Sequence, residues 1–225
     1  MAKQLRLPFT QIRIGRFLFL LISIVLMFVL RPFLEGFVRI YYLMDVFFTA
    51  IFLSAVYAVS QKRGVFFVAL LIALLTIALL WFNDLTGIPS FGVAGNILGT
   101  FFLAFTTFII LSYLFREDEI TGDMIMGAIC VYFLFGLIWA FAFSILEMTH
   151  PGSFRMSGGI TGRTAFTYYS YVTLTTLGYG DITPISTPAR SFALLEAMIG
   201  QLYLAVLVAR LVGLHISQSM MKKSR

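Results

Sequence analysis

Apolar residues fall in long blocks along this chain, and polar residues collect in short breaks between them. About 20 apolar residues at helical rise cross the hydrocarbon core of a bilayer. Six blocks predict such helices: Ile14 to Leu30, Phe37 to Val59, Val65 to Phe82, Phe91 to Phe115, Met124 to Leu146, and Ala189 to Leu214. The breaks at Arg31-Pro32, Gln61 to Gly64, Asn83 to Ser90 and Arg116 to Asp123 are short. One break is long. Between Glu147 and Pro188 lie Pro151-Gly152, a glycine-rich stretch from Ser157 to Gly162, a helical pattern over Arg163 to Thr175, and an extended run. A helix that enters from one face, followed by extended chain returning to that face, is a re-entrant loop. Such backbone is tolerated at membrane depth only where it lines water or is buried in protein.

Composition narrows the class. With 60% hydrophobic residues, 12% charged and a mean hydropathy of +0.96, the apolar surface exceeds what a soluble domain hides. The net charge of +6 is no nucleic-acid signature. With six crossings both termini share a face, and that face collects Lys3, Arg6, Arg13, Arg16, Lys62, Arg63, Arg116, Lys222, Lys223 and Arg225. The other face holds Arg31, Arg39, Arg155, Arg163 and Arg190. The excess of Lys and Arg places the termini in the cytoplasm, against anionic lipid of the cell membrane. The first apolar block follows basic residues without a small-residue cleavage site, so a retained signal anchor is expected. A single cysteine, Cys130, makes no intrachain disulfide and reads as a packed thiol.

Candidate chemistry concentrates in Thr175-Thr176-Leu177-Gly178-Tyr179-Gly180-Asp181. A K⁺ ion leaves water when backbone carbonyls replace its oxygen shell, which requires successive peptides to point the same way. Such backbone is hostile to a Cβ, which accounts for Gly178 and Gly180 around Tyr179. Thr176 adds its hydroxyl as a lower ligand, so K⁺ is expected at Thr176, Leu177, Gly178 and Tyr179, and Tyr179 anchors the ribbon outward. A surface turn would also explain Gly-Tyr-Gly, but not its place between two long apolar blocks. Four such strips make a ring and this chain supplies one, so a cyclic homotetramer is expected. The pore helix over 163–175 would direct the negative end of its dipole at the waiting cation.

From about Met124 onward the chain resembles the two-helix pore module of tetrameric potassium channels. The strings Gly180-Asp181-Ile182-Thr183-Pro184, Leu195-Glu196-Ala197 and Val208-Ala209-Arg210-Leu211 are most similar to small bacterial six-helix channels. Leu177 stands where the family usually has valine or isoleucine. The resemblance implies that Tyr168 and Tyr169 form an aromatic pair around the filter, with Tyr168 either bonded to Asp181 or simply packed. Val172 stands where some members carry a glutamate behind the filter. Glu196 either replaces that glutamate or pairs with Arg190. Gly200, at the family's hinge position, is a gating hinge, a site of close packing, or both.

The expected fold is an all-α membrane protein: six transmembrane helices, with a re-entrant pore helix and selectivity-filter loop between helices 5 and 6. Its parts are a four-helix domain over 1–115, a cytosolic linker over 116–123, and a pore domain over 124–225. The pore domain holds helix 5, pore helix 163–175, filter 176–181, helix 6 over 189–214 and a short basic tail. The fourth block carries no Lys or Arg, so strong voltage gating is not expected. Asp45 is costly at membrane depth and is read as paired with a basic residue of another helix. His150 is read as a solvated loop residue, His215 as complementing the end of the last helix, and Arg116-Glu117-Asp118-Glu119 as a solvated elbow, with contact to the end of the inner helix as the alternative. No Ser/His/Asp set, metal cluster or phosphate loop suggests an enzyme. The expected function is passive potassium conduction without a cofactor, appended ligand-binding domain or nucleic-acid partner. A poorly selective cation channel and a potassium-transporter subunit are the alternatives.

Overall fold

The computed structural model describes residues 15–34, 40–60, 63–117, 119–157 and 162–223. The expectations placed on Lys3, Arg6, Arg13, Arg39, Lys62, Asp118, Arg225 and residues 158–161 lie outside the described residues. The chain forms α1 (Leu18–Leu34), α2 (Ile40–Val59), α3 (Arg63–Thr86), α4 (Pro89–Arg116), α5 (Gly122–Thr149), β1 (Phe154–Met156), α6 (Gly162–Leu174), β2 (Ile182–Pro184) and α7 (Thr187–Lys223). Of these, α2, α3, α4, α5 and α7 are long and apolar enough to cross a membrane, whereas the apolar part of α1, Leu18–Arg31, is shorter.

Local signals set several boundaries. Pro89 opens α4, where its missing N–H costs nothing. Thr121 caps α5 by accepting from Met124 N, with Asp123 in the first turn favoured by the helix dipole. The first four helices and α5 share one apolar core, while lipid-type side chains cover the outside. In α1 the faces alternate at helical spacing: Leu20, Ile24 and Met27 are buried, and Phe19, Ile22, Val25 and Val29 are exposed. Buried Gly92, Gly95 and Gly99 let α4 approach its neighbours closely, Gly95 against Leu79 and Leu80 of α3 and Gly99 against Phe52 and Phe141.

Two sets of polar contacts mark the ends of the bundle. At one end Arg163 of α6 meets Asp45 of α2 and Asp84 of α3. At the other, Arg16 lies 3.4 Å from Asp123, and Arg210 donates to Leu114 O and Glu117 O, both at 2.8 Å. Glu117 was expected in a solvated elbow. Its carbonyl is instead held by α7, because the last carbonyls of α4 have no intrahelical donor and a guanidinium satisfies them.

The last helix runs past Leu214 to Lys223, since nothing after Gly213 breaks the helix. His215 therefore lies inside α7 and not at its end. The sequence reading did not anticipate any strand. A short antiparallel ribbon pairs β1 with β2, Phe154 opposite Pro184 and Met156 opposite Ile182.

Candidate functional site

The site begins with α6, whose Thr, Tyr and Val residues are indifferent helix formers. Tertiary contacts hold it. The Ser170 hydroxyl lies between Gly136 O of α5 at 2.6 Å and Glu196 Oε1 of α7 at 2.5 Å. Tyr171 OH donates to Phe133 O at 2.6 Å, and Tyr132 OH reaches back to Leu174 O at 3.4 Å. Thr175 closes the helix by donating its hydroxyl to Tyr171 O. The helix ends at Leu174, one residue before the expected boundary, because Thr176 turns left-handed at φ 59°.

Beyond it the backbone alternates. Thr176, Gly178 and Gly180 have φ of 59°, 58° and 80°, and no other described non-glycine residue has positive φ. Leu177 and Tyr179 thus lie between left-handed neighbours. Leu177 N and Gly178 N both donate to Val172 O, at 2.9 and 3.2 Å. In a trans peptide the C=O points opposite to the N–H of the same unit. The carbonyls of Thr176 and Leu177 therefore both face away from α6. Val172 contributes here through its carbonyl.

The far end of the strip is fastened separately. Tyr168 OH donates to Asp181 Oδ2 at 2.7 Å, Ile182 N donates to Asp181 Oδ1, and Ser157 N donates to Asp181 O. The β1–β2 ribbon follows at once. Glu147 of α5 accepts from Gly152 N and Phe154 N, tying the ribbon to the bundle. The bond to Asp181 pushes the Tyr168 phenol up to about 12. A raised acid keeps its proton: the contact is complete below the ordinary tyrosine range and lost only as pH rises through 12.

Tyr168→Phe should leave the fold intact, since the hydroxyl borders solvent and one such bond is worth about 1 kcal/mol. It is expected to loosen the far end of the strip, read as faster hydrogen exchange at the Ile182 and Ser157 amides that Asp181 holds. Exchange at the wild-type rate would show that Tyr168 does not hold the strip.

Tyr168 and Tyr169 share one aromatic cluster but turn to different partners. Tyr169 is buried in that cluster, edge-on to Phe143 and Phe154, while Tyr168 packs against its margin and reaches Asp181, because adjacent residues on a helix diverge by about 100°. Glu196 is fully buried against Ser170, whereas Arg190 donates to Pro184 O; the two do not pair. Gly200 touches the end of α6: a Cβ there would lie 2.6 Å from Leu174 O. Leu177 and Tyr179 are 56% and 67% exposed among the described residues. His150 is exposed beside the Thr149 hydroxyl. Asp45 meets Arg163, with its side chain wholly buried.

Sequence reasoning missed Ser170, Arg163 as the partner of Asp45, and Arg210. Only Arg163 left a signal, as a cation at the positive end of a helix. Among the described residues no group of three His, Cys, Asp or Glu side chains is placed to hold a metal ion.

Residues 127–215 match a family model described as an ion channel, a stretch that takes in most of α5, all of α6, the strip and α7 through His215. A two pore potassium channel c of Oryza sativa subsp. japonica is 39% identical over 64 residues, which make up 28% of this chain and 14% of that relative. No solved structure matches. This stretch is thus similar to an ion-channel module, and it is set among helices long and apolar enough to cross a membrane.

Proposed function

We propose that this chain is a potassium-selective channel, conducting K⁺ passively through a homotetrameric pore in the cell membrane. The observation that carries the reading is the strip itself: alternating φ at 176–180, with two consecutive N–H groups turned to Val172 O and their carbonyls turned away. Four such strips around an axis replace the hydration shell of a K⁺ ion. In this reading Thr176, Leu177, Gly178, Tyr179 and Gly180 form the filter. Tyr168, Thr175, Asp181 and Glu196 brace it, and α6 is the re-entrant pore helix with its negative pole towards the cavity.

The tetramer is supported by what one chain leaves uncovered. On α7, Leu194, Met198, Leu202, Val206, Val208 and Val212 are exposed, alongside Leu177 and Tyr179 of the strip. Apolar side chains on an inner helix of this kind are covered by neighbouring copies. Both termini lie in the cytoplasm, by the distribution of Lys and Arg, and the ribbon and Asp181 face outward. Residues 1–115 form a domain without sensor arginines, joined through 116–123 to the pore domain 124–225, so the channel opens without strong voltage dependence.

The test is ion flux through the purified full-length protein in liposomes. K⁺ should pass at least about a hundredfold faster than Na⁺, with block by Ba²⁺. Equal K⁺ and Na⁺ fluxes would replace this reading with a poorly selective cation channel.

A further inference from the structure

Arg163 stands in the first turn of α6, where the helix dipole disfavours a cation. Its position is therefore not explained by the helix it begins. The guanidinium instead forks between two other helices: Nη1 donates to Asp45 Oδ1 of α2 at 2.5 Å, and Nη2 donates to Asp84 Oδ2 of α3. Asp84 is itself oriented, because Asn83 Nδ2 donates to its other oxygen at 2.6 Å. The three side chains are 13%, 0% and 5% exposed, so solvent screens this cluster little. The Arg163 carbonyl in turn accepts from the Thr167 hydroxyl within α6.

We infer that the Asp45–Arg163–Asp84 cluster is a joint through which the four-helix domain sets the position of the pore helix, and so the conductance of the filter. The inference rests on the channel reading and assigns Arg163 as a positioning residue. The path is short and stiff. At about 1.5 Å per residue, α6 spans about 20 Å between Arg163 and the filter strip. At its far end Val172 O holds Leu177 N and Gly178 N. The middle of α6 is pinned to α5 and α7 through Ser170, which serves as a pivot. A shift of α2 against α3 moves the pinned amino end, and the carboxyl end answers across that pivot. The geometry also gives α2 and α3 a purpose in a protein whose fourth helix has no sensor charges. A lysine substitutes only in part, because its compact ammonium lacks the rigid planar fork whose two nitrogens reach carboxylates on different helices.

The test compares wild type, R163Q, R163K and D84N as full-length protein in liposomes containing phosphatidylglycerol. Two readouts are taken: hydrogen exchange over residues 175–181 and K⁺ flux. In R163Q and D84N the Leu177 and Gly178 amides should exchange at least about tenfold faster, with exchange in the middle of α5 unchanged. K⁺ flux should change at least about threefold in the same variants, with R163K in between. Filter exchange and flux at wild-type rates in both R163Q and D84N would overturn the inference. If R163Q does not fold, D84N decides, since it leaves Arg163 paired with Asp45. If wild type conducts no K⁺, the channel reading falls, and the exchange comparison decides on its own whether the filter is held from Arg163.

Discussion

Gly178→Ala should abolish potassium-selective flux while leaving the helices in place. Gly178 sits at φ 58° with no atom within 4 Å of the position a Cβ would take, so crowding inside the chain is not the cause. The cause is the backbone. A left-handed alanine costs roughly 1–2 kcal/mol, or about 4–8 kcal/mol over the four strips of a ring. The strip relieves that strain by rotating a peptide, which turns the Leu177 carbonyl off the axis and releases the Gly178 N–H from Val172 O. One missing carbonyl per strip removes a binding site for a dehydrated ion. K⁺ flux is expected to fall at least about a hundredfold, or to lose its preference over Na⁺. Retained preference in a folded Gly178→Ala protein would show that selection occurs elsewhere.

Gly200→Ala tests the second contact that holds the strip. Its new methyl would stand 2.6 Å from Leu174 O and 2.8 Å from Leu174 Cδ1. The side chain can turn away, but the carbonyl belongs to the end of α6 and also accepts from Tyr132 OH. Relief requires α7 to move off α6, at a cost of about 1–3 kcal/mol. The variant should melt at a lower temperature, and its K⁺ flux should fall because the carboxyl end of α6 carries the strip. A hinge without a packing role predicts wild-type melting with altered opening. Thermal unfolding and flux measured together separate the two.

The sequence was legible where a constraint is local. Apolar blocks announced the helices because a bilayer core demands continuous hydrocarbon over a fixed thickness. Gly178 and Gly180 announced the strip because alternating backbone excludes most side chains. Boundaries slipped where the local signal was weak: α7 runs to Lys223 with no breaker after Gly213, and α6 ends at Leu174, just before the left-handed Thr176. The β1–β2 ribbon left no period in three-residue strands and exists because the ends of the strip need partners.

By itself, then, the sequence determined the helical class and the place of the strip, since each follows from properties of consecutive residues. Only the tertiary structure decided which acid meets which base. Arg163 lies 118 residues from Asp45 and 79 from Asp84, and Ser170 lies 26 from Glu196. Such pairs depend on how helices are rotated against one another, and that rotation is set by the packed core as a whole.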